Sequence, residues 1–449
     1  MSNVVTRFAP SPTGLLHAGN YRTAVFAYLF AKHSGGSFIL RIEDTDIARS
    51  KPEFEANIIE ALTWLDLKTD NQYRQSEHRA RHRELLEKLI AADAAYISKE
   101  TPENQGDRKE VIRFRNPRGT VSFTDVIHGK ITMDVSDLGD FVIARSIDEP
   151  VFHFAVVVDD MDENITHVIR GEDHISNTPR QILIQRALGF TSPTYAHLPL
   201  ILGNDRTKLS KRKGAKAITE YRDLGVLPEA MLNYLAFLGW NPGDEREYLD
   251  RDTLIDSFDL TRVHKGAAIF DEVKLLSVNQ HWMRKLSDAD FIKYIDARYS
   301  SVTDTVRLQK ATFLLKERAH TFNEARELVS GELSCLFIEP VLDMNLLIAK
   351  EPSDHPGTRK AALEELIDPI KSLPENISAE TVKDVLMPLA TIAETKRKGG
   401  RGAMLWPLRY SLSGKERSPD PFTLISILGP KETITRLKKA IDMLEDEKK

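Results

Sequence analysis

The sequence predicts an α/β protein in which a Rossmann-like parallel sheet carries an insertion and is followed by an all-α C-terminal region. Strand and helix patterns alternate over residues 4–65, which is typical of a parallel, nucleotide-binding sheet. Apolar, strand-like runs return at residues 154–202, after a turn-rich stretch that spans residues 98–150. Beyond about residue 216, helical periodicity dominates.

The first elements follow from local patterns. Residues 4–8 and 37–42 are predicted strands, and residues 17–32 form a predicted helix rich in Ala, Leu and aromatic side chains. A second helix is expected to end near residue 65 and to begin at residues 50–53, which resemble a capping box with an early proline. These segments define the start of the sheet.

Later elements are predicted in the same way. Residues 154–158 are nearly all apolar, as expected of a strand that is covered on both faces. Residues 165–169 and 196–202 are further predicted strands. A helix between them is expected to begin with Thr178 as its cap.

Composition limits the class of protein. The chain has 449 residues, enough for two or more domains of ~100–200 residues each. Its formal net charge is -5, so any nucleic-acid contact must use local basic patches. The single cysteine, Cys335, excludes an internal disulfide and a cysteine-based zinc site. We expect no membrane segment, no signal peptide and a cytoplasmic protein, because no long apolar stretch is present.

One candidate binding segment is the loop of residues 10–20, which leads into a predicted helix. A helix N-terminus presents N–H groups and a partial positive charge, both of which suit phosphate. Gly14 and Gly19 permit close backbone approach, and His17 is able to donate a hydrogen bond to a phosphate oxygen. The alternative is a helix-capping loop with a surface histidine. The chain has no P-loop and no Gly-x-Gly-x-x-Gly pattern, so its sheet must bind a nucleotide in another way.

The second segment, residues 208–214, is a dense basic loop just after a predicted strand. Such a loop is able to fold onto a triphosphate and neutralise the charge that develops on departing pyrophosphate. The alternative is a solvated run of charge. Either segment taken alone leaves its structural alternative open.

Taken together, the two segments are similar to a known pair of signatures. His17-Ala-Gly-Asn20 and Lys208-Leu-Ser-Lys211-Arg resemble the HIGH and KMSKS motifs of class I aminoacyl-tRNA synthetases. Flanking segments narrow the resemblance to the bacterial glutamyl-tRNA synthetases, from residue 4 to about residue 410. The flanking segments are residues 7–14, 41–46, 157–160, 169–173, 407–409 and 412–414.

The resemblance implies an ATP-dependent glutamate–tRNA ligase. In this family L-glutamate and ATP form glutamyl-adenylate and pyrophosphate, and the glutamyl group then passes to the 3′ end of tRNA(Glu). Neither step needs a protein nucleophile, so catalysis is positioning plus electrostatic stabilisation. The resemblance also implies Mg²⁺ held mainly by phosphate oxygens, no zinc, and a monomer.

The site residues of the family correspond to positions in this chain. The resemblance assigns catalysis to His17, Lys208 and Lys211. The residues implied in ATP binding are His17, Gly19, Asn20, Asp173, Leu209, Ser210 and Lys211. The residues implied in glutamate binding are Arg7, Ala9, Ser11, Glu43, Arg49, Phe152 and Arg170. Arginines suit the two carboxylates of glutamate and an acidic residue suits its ammonium, whereas surface ion pairs are the alternative.

Basic residues in the insertion and near the C-terminal end are the implied contacts with RNA. The residues implied in tRNA binding are Arg115, Arg318, Lys398, Arg401 and Arg409. Phosphate contact by such residues would depend on salt concentration. A solvated basic face is the alternative for either cluster.

The resemblance also implies a domain order. Residues 1–93 and 151–215 would form the Rossmann-like catalytic domain, and residues 94–150 the inserted acceptor-stem-binding domain. Residues 216–290 would form a helical stem-contact region, and residues 291–449 an α-helical anticodon-binding region. The chain departs from the family in three ways, one of which is Asn20 in place of the final residue of the HIGH pattern, a position that varies in the family. Phe152 replaces a usual tyrosine whose hydroxyl helps to hold the substrate, and the cysteine cluster that binds zinc in some relatives is missing.

The sequence disfavours most alternatives to this function and leaves one open. A relaxed-specificity enzyme that also charges tRNA(Gln) with glutamate stays open. A glutaminyl-tRNA synthetase is disfavoured, because that family has an acidic residue in the position of Ser11 and a β-barrel at its C-terminal end. A non-catalytic relative would be expected to have lost His17 or Lys211. A short tRNA-modifying paralogue or a small nucleotidyltransferase would not need residues 220–449.

Overall fold

Two structural units divide the chain, residues 1–279 (unit 1) and residues 280–449 (unit 2). The computed structural model describes residues 3–101, 109–209, 214–296, 304–348, 356–396 and 400–446. Within these ranges, no helix is both long enough and apolar enough to cross a lipid bilayer.

The described residues of unit 1 form both strands and helices. Its strands are β1 (Val5–Phe8), β2 (Ser37–Ile42), β3 (Asn71–Arg74), β4 (Ala95–Lys99), β5 (Glu110–Phe114), β6 (Thr120–Asp125), β7 (Gly129–Asp134), β8 (Phe141–Ser146), β9 (Glu149–Pro150), β10 (His167–Gly171), β11 (Thr194–Leu198), β12 (Ile201–Leu202) and β13 (Ala268–Ile269). Its helices are α1 (Ala18–His33), α2 (Pro52–Trp64), α3 (Arg79–Ala91), α4 (Phe152–Asp162), α5 (Thr178–Leu188), α6 (Ile218–Asp223), α7 (Pro228–Ala236) and α8 (Arg251–Ser257), and α9 (Glu272–Lys285) spans the division between the units.

A seven-stranded sheet with the order β3-β2-β1-β10-β11-β6-β7 forms the centre of unit 1. The pairs from β3 to β11 are parallel, as the alternation of strands and helices predicts. β6 continues the sheet parallel to β11, and β7 pairs antiparallel with β6. Since β6 and β7 lie within the predicted insertion, the insertion extends the main sheet. It also contains the four strands of a second, antiparallel sheet with the order β4-β5-β8-β9.

Residues 154–158, which the apolar pattern predicts as a strand, lie instead in helix α4. All residues from Phe154 to Asp160 are buried, and α4 packs against α3 and α5. A helix that is covered on all sides and a strand that is covered on both faces give the same uninterrupted apolar run. The strand prediction was wrong, because periodicity does not distinguish these two cases.

Other boundaries differ in smaller ways. The predicted strand at residues 37–42 coincides with β2, but the one at residues 196–202 is divided into β11 and β12. Pro199 lies between them, and a proline has no N–H to donate to a strand ladder. Neither Ser50 nor Thr178 is an N-cap. The N-cap of α2 is Lys51 and that of α5 is Asn177, and neither makes a side-chain capping bond.

Unit 2 is helical over its described residues, as periodicity predicts. Its helices are α10 (Asp288–Asp296), α11 (Thr305–Arg318), α12 (Phe322–Ser330), α13 (Met344–Ile348), α14 (Pro356–Lys371), α15 (Ala379–Lys396), α16 (Gly402–Ser413) and α17 (Pro421–Asp446). α17 packs against α14, α15 and α16, and it bends at Gly429, where φ is 79°. The buried Arg436 donates to the carbonyl oxygens of Cys335 and Leu412 over 2.6 and 2.7 Å, so a cation ties these chain segments together.

Candidate active site

A cavity of about 650 Å³ opens at the carboxyl edge of the parallel strands of unit 1. β1, β2, β10 and β11 end near it, and this edge is where open α/β sheets bind their ligands. The predicted site residues that line this cavity are Arg7, Ala9, Ser11, His17, Gly19, Asn20, Glu43, Phe152, Arg170, Asp173, Lys208 and Leu209. The fold therefore brings together residues from both sequence motifs.

Among the described residues predicted for the ATP and glutamate sites, Arg49 is not in this lining. Arg49 lies in an adjacent cavity of about 320 Å³, which shares Ser11, Glu43 and Phe152 with the main one. The exposed guanidinium of Arg49 is 2.6 Å from a carboxylate oxygen of Asp46. Arg49 thus lines the adjacent cavity and not the main one. Ser210 and Lys211 lie outside the described residues.

His17 is the N-cap of α1 and shapes the helix start. Its Nδ1 accepts a hydrogen bond from the backbone N–H of Gly19 over 3.1 Å, and Oδ1 of Asn20 accepts from the backbone N–H of His17 over 3.2 Å. A side chain at position 19 would come within 2.9 Å of the imidazole, which accounts for the glycine. Because Nδ1 is an acceptor, the neutral ring carries its proton on Nε2. The reciprocal capping therefore makes Nε2–H a hydrogen-bond donor.

Both described flanks of the basic loop reach this region. On one side, Lys208 lines the cavity, and its Nζ lies 3.0 Å from Oδ2 of Asp173. Partial burial works against ionisation of Asp173, but Lys208 keeps the pKa of this carboxyl below its usual value. On the other side, Ala217 forms an antiparallel bridge with His17. The segment that connects these flanks includes residues 210–213, which lie outside the described residues.

Arg7 is held by a buried network of charges. Its Nε donates to Oδ1 of Asp160 over 3.1 Å, and the same oxygen accepts from Nη1 of Arg41 over 2.7 Å. Arg41 also donates to Glu43 over 3.2 Å. Burial opposes ionisation, but Arg7 and Arg41 lower the pKa of Asp160 below its usual range. For Glu43 burial outweighs the same two arginines and raises the pKa.

Arg170, in β10, is anchored by two polar side chains. Its Nε donates to Nε2 of His197 over 3.1 Å, and its Nη2 donates to Oγ1 of Thr178 over 2.8 Å. The second bond occupies the hydroxyl that the sequence predicts as a helix cap. Burial lowers the pKa of Arg170 to about 10, so the guanidinium is still cationic at neutral pH.

The sequence did not identify a role for four polar residues that lie at or below the cavity. Arg41, Asp160 and His197 support the lining, and Arg22 is part of it. Arg22 donates to the carbonyl oxygen of Leu238 over 3.3 Å, and burial lowers its pKa to about 10. The available signal was a charged side chain inside an apolar run, since such a group must find a partner. That signal does not identify the partner.

The carboxylates in the cavity determine how it could hold a divalent cation. Its described lining contains two carboxylates, Glu43 and Asp173, and these are bonded to Arg41 and Lys208. Across the part of the chain that the structure describes, no group of three His, Cys, Asp or Glu side chains is arranged to hold a metal ion. This donor set fits a cation that is carried by the phosphate oxygens of a bound triphosphate.

The residues predicted to contact RNA have local partners. In unit 1, Arg115 stacks over the ring of Tyr96, 4.4 Å from its centroid. In unit 2, Arg318 and Arg401 each pair with a glutamate of the same unit. Arg409 is partly buried, and burial lowers its pKa. Lys398 lies outside the described residues.

Comparison with known proteins agrees with this architecture. A family model for the catalytic domain of class I tRNA synthetases (E and Q) matches residues 3–110 and 103–277, and a model for an anticodon-binding domain matches residues 280–441. The glutamate–tRNA ligase 1 of Acidithiobacillus ferrooxidans is 37% identical over 477 residues, which cover 98% of this chain and 99% of the relative. The glutamate–tRNA ligase 1 of Coxiella burnetii is 37% identical over 480 residues, which cover 98% of each chain.

A solved structure is similar over almost the whole chain. The crystal structure of a glutamate tRNA ligase from Elizabethkingia meningosepticum, in complex with its amino acid, has a TM-score of 0.85 and 32% identity, and the alignment covers 99% of this chain and 100% of that one. The sheet, the cavity and these similarities define a class I aminoacyl-tRNA synthetase with a helical anticodon-binding region, which confirms the predicted fold class. The chain belongs to the family of such synthetases for glutamate and glutamine. Enzymes of this class use ATP as a substrate. The domain boundaries inferred from sequence stay predictions.

Proposed function

We propose that the protein is a glutamate–tRNA ligase, which activates L-glutamate with ATP and transfers it to the 3′ end of tRNA(Glu). One observation carries the proposal. A single cavity is lined by the cationic Arg7 and Arg170, by the carboxyl group of Glu43 and by the helix N-terminus at His17. This is the combination that a dicarboxylic amino acid and a triphosphate require side by side. The names of the full-length relatives support the same activity.

The glutamate site follows from the charges in the cavity. We assign the two carboxylates of glutamate to Arg7 and Arg170, and its ammonium to Glu43. Burial raises the pKa of Glu43, and a bound ammonium group would offset that effect by stabilising the carboxylate. Ala9, Ser11 and Phe152 complete the lining on this side, and Arg49 approaches from the adjacent cavity.

The ATP site follows from the helix start and the basic loop. The N-terminus of α1 and Nε2–H of His17 suit the phosphates, and Mg²⁺ would be held there mainly by phosphate oxygens. Lys208 is 57% exposed at the cavity, so it has room to follow the nucleotide. We assign neutralisation of the leaving pyrophosphate to Lys211 and Lys208. Lys211→Ala should lower kcat at least ~10²-fold, as the loss of one electrostatic contact to a transition state does.

The two chemical steps then need only positioning. A glutamate α-carboxylate oxygen attacks the α-phosphorus of ATP, and the bond from that phosphorus to the pyrophosphate oxygen breaks. The terminal ribose hydroxyl of the tRNA next attacks the activated carbonyl and releases AMP. Arg7 and Arg170 hold the amino acid in place, while the cations near the phosphates offset the charge that develops on each leaving group.

Parallel charging assays test this function. Purified tRNA(Glu) and tRNA(Gln) are each incubated with ATP, Mg²⁺ and labelled glutamate, and pyrophosphate exchange is measured with and without tRNA. We expect glutamyl-tRNA(Glu), with exchange that depends on both glutamate and tRNA. Glutamate on both tRNAs would indicate the relaxed-specificity alternative, whereas no glutamyl-tRNA(Glu) would refute the proposal. In the same assay Arg7→Lys should raise the glutamate KM more than Arg49→Lys does.

The remaining assignments concern tRNA contacts, the oligomeric state and the cellular location. Arg318, Lys398, Arg401 and Arg409 lie in the sequence that the anticodon-binding model matches, which supports contact with the anticodon arm. Arg115 lies in the insertion, where we propose contact with the acceptor end. A monomeric state and a cytoplasmic location stay predictions from the sequence.

A further inference from the structure

A buried chain of hydrogen bonds runs from β6 through β11 to Arg170 on β10. Oδ2 of Asp125 accepts from Nδ1 of His197 over 2.7 Å and from the backbone N–H of His197 over 3.0 Å. Nε2 of His197 in turn accepts from Nε of Arg170 over 3.1 Å. The side chains of Asp125 and His197 are 0% exposed, so water does not compete for these bonds.

Asp125 determines which atoms donate and which accept along this series of hydrogen bonds. Its second oxygen, Oδ1, accepts from the backbone N–H groups of Ile127 and His128, each over 2.9 Å. Burial works against ionisation, but these N–H groups and His197 lower the pKa of Asp125 below its usual value. An ionised carboxylate only accepts hydrogen bonds, so the His197 proton stays on Nδ1 and Nε2 is left as an acceptor. Nε of Arg170 and Oγ1 of Thr178 each lie 3.1 Å from Nε2. Burial also lowers the pKa of His197, which keeps the ring neutral.

This arrangement leaves one part of the Arg170 guanidinium for the cavity. His197 occupies Nε, and Thr178 accepts from Nη2 over 2.8 Å, whereas Nη1 takes part in neither bond. Arg170 lines the cavity although it is almost entirely buried. A rotation of the guanidinium would leave its Nε–H without the His197 acceptor, in a place where an unpaired donor is costly. The hydrogen bonds to His197 and Thr178 therefore fix the orientation of Arg170.

We propose that Asp125 and His197 are positioning residues for the amino-acid site, which orient Arg170 toward a substrate carboxylate. The inference rests on the proposed role of Arg170 in binding glutamate. It also gives the insertion a second task, because Asp125 lies on β6, within the segment predicted to bind the acceptor stem. A strand of the insertion thus supports recognition of the amino acid.

Two substitutions of His197 separate positioning from simple packing. His197→Gln places a carbonyl oxygen near the position of Nε2 and keeps an acceptor for Arg170. His197→Phe fills the volume of the ring but accepts no hydrogen bond. In pyrophosphate exchange, His197→Phe should raise the glutamate KM at least roughly 10-fold, as the loss of such a supporting residue does, and the ATP KM should change less than about twofold. His197→Gln should recover most of the loss.

A substitution of Asp125 tests the other end of the chain. Asp125→Asn replaces one carboxylate oxygen by an NH2 group, which cannot accept the N–H hydrogen bonds that this oxygen accepts in the wild type. The substitution therefore disturbs the tautomer of His197 without a change of size. It should give the same selective rise in the glutamate KM. The matched control is Ser122→Ala on the same strand, because it removes only an exposed hydrogen bond to Thr132. That control should leave both KM values unchanged.

The outcomes separate this inference from the proposed function. Equal changes in the glutamate and ATP KM values, or a His197→Gln enzyme as impaired as His197→Phe, would overturn the positioning role. Melting temperatures are measured for every variant, and if His197→Phe does not fold, the Gln and Asp125→Asn enzymes decide. A wild-type enzyme without glutamate-dependent exchange would contradict the proposed function itself.

Discussion

Nε of Arg7 donates a hydrogen bond to Oδ1 of Asp160 over 3.1 Å, and both side chains are buried. Arg41 donates to the same oxygen over 2.7 Å. One carboxylate thus holds two guanidinium groups, of which Arg7 lines the cavity and Arg41 lies behind it. The binding group and its support are separate residues, and they therefore respond differently to substitution.

Asp160→Asn should be strongly destabilising. It leaves two buried guanidinium groups short of a counter-charge, and breaking a buried ion pair costs about 3–5 kcal/mol. We expect the free energy of unfolding in urea to fall by about 3 kcal/mol or more. The control is Asp162→Asn on the same helix, whose partner Arg81 is partly exposed, so its loss should be under about 1 kcal/mol. Equal losses in the two variants would contradict the buried network.

Lys208→Met should lower activity without a loss of stability. Its ion pair with Asp173 is exposed, and such pairs contribute at most about 1 kcal/mol. Removal of the charge beside the triphosphate should lower kcat in pyrophosphate exchange by roughly 10²-fold. Lys216→Met is the matched control, because Lys216 pairs with Glu272 and does not line the cavity. An unchanged kcat in Lys208→Met would remove this lysine from the mechanism.

Phe152→Tyr should improve glutamate binding. Phe152 lines both the main and the adjacent cavity, and a hydroxyl there would reach toward the charged groups of the substrate. A hydrogen bond to a charged group contributes about 1.5–3 kcal/mol, so the glutamate KM should fall roughly tenfold or more. The ATP KM should stay the same, and the exposed Phe313→Tyr in unit 2 serves as control. A glutamate KM that does not fall would show that the tyrosine hydroxyl has no acceptor here.

His153 should make stability depend on pH. Burial, together with Arg180, Arg170 and His174, lowers its pKa from 6.5 to about 4. Between these values the unfolded chain binds a proton that the folded chain does not, so the contribution is complete above pH 6.5 and is lost as pH falls toward 4. His153→Asn should flatten the decrease in melting temperature over this interval. Parallel curves for the two proteins would show that the histidine does not contribute.

Arg401 and Arg409 should respond differently, although both are predicted to contact RNA. Arg401 is exposed and has one local ion pair, so Arg401→Gln should reduce the slope of log Kd against log salt for tRNA by roughly 1. Arg409 stacks on Trp406, 4.7 Å from the ring centroid, and donates to Ser418 over 2.8 Å. Arg409→Gln should therefore mainly lower the melting temperature. An equal reduction of the salt slope in both variants would assign both residues to RNA contact.

Parts of the fold and site were predictable because they depend on near neighbours. The loop before α1 was predicted from its prolines and glycine, and so was the position of His17 at the start of that helix. The helical assignment of residues 154–158 was missed because burial on every side removes the periodic signal. Arg49 was expected in the main pocket but lines the adjacent cavity, where it pairs with Asp46.

The amino-acid sequence by itself determined the periodicity of strands and helices, the loops between them and the residue types that recognise phosphate and carboxylate. These properties depend on residues a few positions apart. Tertiary structure decided which buried polar groups pair, such as His197 with Asp125, 72 positions away, and Arg7 with Asp160, 153 positions away. A buried charge without a partner costs several kcal/mol, so such pairs are obligatory. No local pattern reveals which distant strand or helix will supply the partner.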